Sequence, residues 1–177
     1  GSEHSALILG RNKCLSVMVN EEDHLRIQAM GSGACLEELY EKINALDDAV
    51  DDHVEYAFSE KYGYLTACPT NLGSGMRASV MLHLPALTRR GLMDRVINSV
   101  SQVGITVRGL YGEGTQAGAC LYQVSNAVSL GVSETETIAL LNRIVAQICQ
   151  SEKTAREHLF PDLRAQDELY RAYGILK

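Results

Sequence analysis

The chain has 177 residues, 46% of them apolar and 21% charged, with a formal net charge of −6. That length and balance describe one globular domain with room for a substantial core. The negative charge argues against a general nucleic-acid binder, which needs clustered Lys and Arg, but leaves room for a single nucleotide; no run of about 18 apolar residues offers a membrane span.

Residues 6–10 and 14–19 are apolar runs around the polar turn Arg11-Asn12-Lys13 and read as a β-hairpin. Residues 24–30 alternate Leu25, Ile27 and Ala29 with His24, Arg26 and Gln28, as a half-buried strand does, and Gly31-Ser32-Gly33 breaks the run. Leu36, Leu39, Tyr40, Ile43, Leu46, Val50, Val54 and Phe58 then recur at helical spacing, with Asp47, Asp48, Asp51 and Asp52 as the solvated face. Residues 62–68 read as a strand, a glycine loop follows, and Arg77 opens the next strand, residues 77–84. Pro85 fits the first turn of a helix carried by Leu87, Leu92, Val96, Ile97 and Val100 as far as Gly104. Residues 105–109 and 120–126 read as strands, and residues 110–119, with Gly112, Gly114 and Gly118, as a mobile loop. Ser133 and Glu136 form a capping box that opens a long helix with Ile138, Leu141, Val145 and Ile148 on one face. Pro161 interrupts it, and a last helix over about 162–173 ends near Gly174. Neighbouring strands with only two or three long helices favour α+β, a largely antiparallel sheet flanked by helices.

Cys14, Cys35, Cys68, Cys120 and Cys149 are odd in number, widely spaced and free of any Cys-x-x-Cys pair, which reads as the reduced thiols of a cytoplasmic protein. The start, Gly1-Ser2-Glu3-His4, has no signal-peptide pattern, and Gly1-Ser2 reads as the remnant of an expression tag.

Three segments concentrate charge beside strand ends. In Cys68-Pro69-Thr70-Asn71-Leu72-Gly73-Ser74-Gly75-Met76-Arg77, the glycines let backbone amides approach a ligand, and Arg77 supplies a planar fork of donors for phosphate oxygens. The ordinary alternative is a glycine turn between strands, and neither a Walker A nor a Rossmann pattern is present. In Asn20-Glu21-Glu22-Asp23-His24-Leu25-Arg26, three successive acids repel one another unless a cation compensates, either Arg26 or a cationic substrate. His24 has no second His at metal-ligand spacing. Arg108-Gly109-Leu110-Tyr111-Gly112-Glu113 is either a salt-bridged surface turn or a phosphate-binding arginine with an acid on a closing loop. Three arginines and two carboxylates suit one polyanion and one cation. Cys68, beside Pro69, is either a small buried apolar residue or a reactive thiol.

Taken together, the three segments resemble the catalytic domain of the phosphagen (ATP:guanido) kinases, such as arginine and creatine kinase. Residues 20–24 match the family's NEEDH segment, residues 68–79 its CPxNLGTGxRAS segment and residues 108–113 its RGxxGE loop, in the same order. Residues 77–87 and Arg171-Ala172-Tyr173-Gly174-Ile175-Leu176 are most similar to bacterial protein arginine kinases. The resemblance implies a glutamine-synthetase-like α+β lobe that transfers the γ-phosphoryl group of Mg-ATP to a guanidinium nitrogen. It assigns phosphate binding to Arg26, Arg77 and Arg108, within the nucleotide segments Arg77, Ala78, Ser79, Val80, Met81 and Arg108, Gly109, Leu110, Tyr111, Gly112, Glu113. Glu22 and Glu113 become the carboxylates that grip the guanidinium, with Glu22 as base, and Cys68 lies beside the substrate. No metal site on the protein is implied.

Family members also have an N-terminal region with a small helical domain and a Ser-x-Arg-x-Arg nucleotide segment, and the protein arginine kinases a C-terminal phosphoarginine-sensing region. This sequence has neither, so residues 3–177 are expected to be a catalytic lobe truncated at both ends, weak or inactive alone. A kinase for free arginine or another guanidino metabolite, and a non-catalytic nucleotide-binding module, remain the alternatives.

Overall fold

Two antiparallel ladders open the fold. In the computed structural model, which describes residues 4–11, 13–110, 118–159 and 162–176, β1 (Ala6–Leu9) pairs with β2 (Leu15–Glu21), and β2 with β3 (Asp23–Ala29). The expected hairpin and half-buried strand are both present, with Leu25 and Ile27 more enclosed than His24 and Arg26. Helix α1 (Leu36–Asp51) packs on β3.

That helix stops before Val54 and Phe58, which the periodicity had included. Its last turn carries no basic residue, while Asp47, Asp48, Asp51 and Asp52 crowd the end where the helix dipole disfavours negative charge. His53 closes the helix, its amide donating to Val50 O and its Nδ1 lying 3.0 Å from Ala49 O. Phe58 instead falls in β4 (Phe58–Ser59), paired with β5 (Gly63–Tyr64). Of the strand expected over residues 62–68, only those two residues are regular; Pro69–Asn71 forms a single 3-10 turn.

The next strand, β6, is Ser79–His83, so Arg77 precedes it rather than opening it. The helix expected from Pro85 to Gly104 is two helices, α2 (Pro85–Arg89) and α3 (Met93–Ser101). Gly91, at φ +66°, ends α2 in a Schellman motif: its amide donates to Thr88 O and that of Leu92 to Leu87 O. Strands β7 (Ile105–Gly109) and β8 (Leu121–Asn126) follow, then α4 (Glu134–Leu159) and α5 (Leu163–Leu176). Helix α5 runs through Gly174 instead of ending there. Pro161 and residues 111–117 of the expected loop lie outside the described residues. Every named ladder is antiparallel, giving α+β, with strand orders β1-β2-β3, β4-β5 and β6-β8-β7.

The chain divides into two units, Gly1–Ala78 with Ala127–Asn142, and Ser79–Asn126 with Arg143–Lys177. In the first, α1 has no buried residue, and order rests heavily on hydrogen bonds. The capping box of α4 forms as expected: Ser133 Oγ accepts the Glu136 amide, and Glu136 Oε2 accepts the Ser133 amide. Those bonds from the Ser133 amide and hydroxyl hold the Glu136 carboxyl below its usual range.

The second unit has a core of Leu84, Leu87, Ile105, Val107, Tyr122, Val124, Ile144 and Ile148. Period-two alternation puts Val80, Val124 and Val107 in one register row, facing the core. Glu152 of α4, only 4% exposed, caps α2 from a distance, its oxygens accepting the Ala86 and Leu87 amides at 3.0 and 2.9 Å. Arg156 Nε lies 2.7 Å from the same carboxylate and compensates its charge. Replacing Glu152 by Ala leaves two buried amides and one arginine unpartnered. We expect Glu152→Ala to lose about 2–4 kcal/mol of stability in denaturant titration, and Glu152→Gln clearly less.

Candidate functional site

The acids of the first charged segment sit on a reversal one residue long. Glu21 and Asp23 face each other as the last pair of the β2–β3 ladder, leaving Glu22 alone to turn the chain. Glu22 does so at φ +58°, after Asn20 at φ +55°. Asn tolerates left-handed backbone, whereas Glu is held there at a cost on the order of 1 kcal/mol. Arg26 Nη1 lies 2.8 Å from Glu21 Oε2 and 3.7 Å from Glu22 Oε2, so the internal cation that could offset the acidic run does so. All three side chains are about half exposed, and such a pairing is weak enough to be exchanged for a ligand.

Asp23, which the sequence did not single out, makes the strongest connection. Its Oδ1 accepts the amides of Ala67 at 2.6 Å and Cys68 at 3.4 Å, and its Oδ2 accepts Asn71 Nδ2 at 2.8 Å. Partial burial favours the neutral acid, but the Asn71 amide, the two backbone donors and the charge of Arg26 outweigh it. They hold the Asp23 carboxyl below its ordinary value of 3.8. The acid-bearing turn is thereby fixed to the loop of Cys68. Cys68 is half-buried, with Sγ 3.0 Å from Thr70 Oγ1, and its carbonyl accepts the Thr66 hydroxyl at 2.7 Å.

The glycine loop differs from its sequence reading. Gly73 N donates to Tyr64 O, Gly73 O accepts the Tyr64 amide, and Ser74 N donates to Ser129 O at 3.0 Å. Of the two glycine amides expected to approach a ligand, that of Gly73 is thus engaged by the protein, as is the neighbouring Ser74 amide, whereas the Gly75 amide makes no hydrogen bond among the described residues. Gly73 is required because its φ is +111° and a Cβ there would lie 2.4 Å from Ser129 O. The buried Ser129 hydroxyl bonds the carbonyls of Thr70 and Leu72, bracing the loop from its other side.

Arg77 is exposed and forms no ion pair among the described residues. Ala78 is buried, and Val80 lies on the core side of β6, so within this run the exposed side chains are Arg77, Ser79 and Met81. In the second unit, register places Met81, Gln123 and Arg108 in one row across β6, β8 and β7, on the face opposite Val124. Arg108 is exposed and likewise forms no ion pair among the described residues. Gln123 Nε2 donates to Ser79 Oγ at 3.1 Å, ordering that face. Its signal in the sequence was a polar residue inside the apolar run of residues 121–124. Gly109 pairs with Tyr122, and the Leu110 amide donates to Leu121 O. Tyr111, Gly112 and Glu113 lie outside the described residues. His24 is exposed, and among the described residues no three His, Cys, Asp or Glu side chains gather as a metal site.

The structure therefore brings Glu22, Arg26, Asp23, Cys68 and Asn71 together in the first unit, which also contains Arg77; Arg108, Ser79 and Met81 belong to the second. A carboxylate beside a half-buried thiol can orient and deprotonate a cationic acceptor, and the exposed arginines can pair with phosphate. Asp23→Ala is expected to cost about 1–3 kcal/mol, read by chemical denaturation. Because the folded-state pKa of Asp23 is lowered, its contribution is present above pH 3.8 and fades as pH falls through the folded value. The variant's deficit should therefore shrink in acid melts below that pH.

Residues 2–155 match the family model of the ATP:guanido phosphotransferase C-terminal catalytic domain. A protein-arginine kinase of Clostridium acetobutylicum is 53% identical over 98% of this chain and 52% of its own length. A duplicated taurocyamine kinase from Schistosoma mansoni, solved with transition-state-analogue components, superposes with a TM-score of 0.75 at 34% identity, covering 85% of this chain and 21% of that one. A lombricine kinase superposes with a TM-score of 0.77 at 30% identity, covering 89% and 44%. The chain spans about half the length of the curated relatives it matches. Agreement in sequence and fold over so much of its length means that this chain belongs to the ATP:guanido phosphotransferase family, as a C-terminal catalytic domain.

Proposed function

We propose that this chain carries the chemistry of a bacterial, cytoplasmic kinase that moves the γ-phosphoryl group of Mg-ATP to the guanidinium of arginine side chains in proteins. The observation that carries the reading is the Asp23 clamp, which holds the Glu22 turn against the loop of Cys68. Relatives named protein-arginine kinases favour a protein acceptor over free arginine or another guanidino metabolite. The five free cysteines suit a reducing compartment.

In this reading Glu22, with Glu113, orients the guanidinium, and Glu22 takes the proton that the attacking nitrogen must lose. A nitrogen–phosphorus bond forms as the bond between the γ-phosphorus and its bridging oxygen breaks, and ADP leaves. Arg26, Arg77 and Arg108 balance charge on the phosphate oxygens, and Mg²⁺ arrives with the nucleotide as part of the substrate. Arg26 must exchange its acidic partners for phosphate, which its exposed, weak pairing allows. Ser79 and Met81 offer a nucleotide surface beside Arg108, while Ala78, Val80, Gly109 and Leu110 contribute backbone. A non-catalytic nucleotide binder would have no use for Glu22 on strained backbone.

The test is a chimera in which this chain replaces the matching half of the Clostridium acetobutylicum enzyme, given γ-labelled ATP with protein and free arginine in separate reactions. We expect acid-labile label on protein arginine. Glu22→Gln should lower kcat about 10²–10⁴-fold with the KM for ATP little changed. Label on free arginine alone would move the acceptor to a metabolite, and full activity in Glu22→Gln would remove its role as base.

A further inference from the structure

In the first unit, an open depression of about 590 Å³ lies between the C-terminal end of α1 and the β4–β5 ribbon. Its walls include three aromatic rings. Tyr56 and Phe58 both stand edge-on to Tyr64, with ring centroids 5.8 and 5.3 Å away and interplanar angles of 78° and 73°. Phe58 is 59% exposed, leaving a large apolar ring in solvent. Aromatic faces carry the negative end of the ring quadrupole and attract cations.

The remaining wall holds three acids together with His53 and Val54. Asp51, Asp52 and Glu55 line the depression, and Asp47 accepts the Tyr56 hydroxyl at 2.9 Å. None of these four acids forms an ion pair among the described residues, and no Lys or Arg lines the depression. The end of the α1 dipole adds to the same negative potential. Burial pushes the phenols of Tyr56 and Tyr64 up, helped at Tyr56 by its hydrogen bond to Asp47 and at both by the charges of Asp47 and Asp51. Such an arrangement opposes folding of α1 and is relieved when a cation enters.

We propose that this depression binds the guanidinium of an arginine side chain, at a second site in addition to the one at which phosphate is transferred. A planar guanidinium can lie against a ring while its N–H groups donate to Asp51, Asp52 or Glu55, whereas an ammonium offers only a compact charge. That the arginine belongs to a protein substrate rests on the proposed function; guanidinium binding itself does not. Basic segments flanking a target arginine would then add local concentration to recognition of the acceptor.

The experiment follows the aromatic NMR signals of this chain during titration with N-acetyl-arginine amide. The resonances of Tyr56, Phe58 and Tyr64 should shift saturably, less at high salt. N-acetyl-citrulline amide, which lacks the charge, should shift them little. The exposed double change Asp51→Asn with Asp52→Asn should weaken binding about tenfold, and Phe58→Leu severalfold. The double variant should melt no lower than the parent chain, because it removes like charges from a helix C-terminus. Absence of the shifts, equal shifts with citrulline or N-acetyl-lysine amide, or unchanged binding in both variants would overturn the site. Glu22→Gln should bind the probe normally. Arginine binding here without phosphoryl transfer in the chimera would sink the kinase reading alone, and transfer without binding would sink this inference alone.

Discussion

One carboxylate organises the first unit. Asp23 holds residues 44, 45 and 48 positions further along the chain. A hairpin tip without such a tether explores many conformations, and a carboxylate on it would be poorly aimed. The order then passes from loop to loop: Asn71 closes its 3-10 turn, Gly73 lies against Ser129, and four residues beyond Ser129 the capping box starts α4. Polar contacts carry this sequence of constraints, because the β1–β2–β3 sheet and α1 contain no fully buried side chain.

The second unit achieves rigidity by different means. Apolar residues fill one face of a three-stranded sheet, and the buried Glu152 supplies the cap that Leu84, at the α2 N-cap, cannot. With that face fixed, strand alternation alone decides which side chains appear on the opposite one. Arg108 and Met81 are displayed because Val107 and Val80 are turned inward.

Much of this was legible in the residues themselves. Strands β1, β2, β3, β7 and β8 follow hydrophobic periodicity, and the Ser133–Glu136 box marks its helix start almost to the residue. Local chemistry overrides periodicity at two helices, at the acidic end of α1 and at Gly91. The family could be recognised from three short charged segments, but the way they are built could not. Sequence spacing gives no hint that Asp23 binds Asn71, or that the amide of Gly73 serves Tyr64 rather than a ligand, since both depend on contacts between distant parts of the chain. Proximity of Glu22 to Arg26 was the exception, because four residues and one tight reversal already imply it.

The backbone of Glu22 carries an evolutionary implication. Asn, Asp or Gly would sit more comfortably at its left-handed φ. Gly and Asn surrender the negative charge, and Asp keeps it but draws it back by one methylene. Variation at this position is therefore caught between an easier fold and a shorter arm, and any lineage that substitutes it should gain thermal tolerance at the expense of reach.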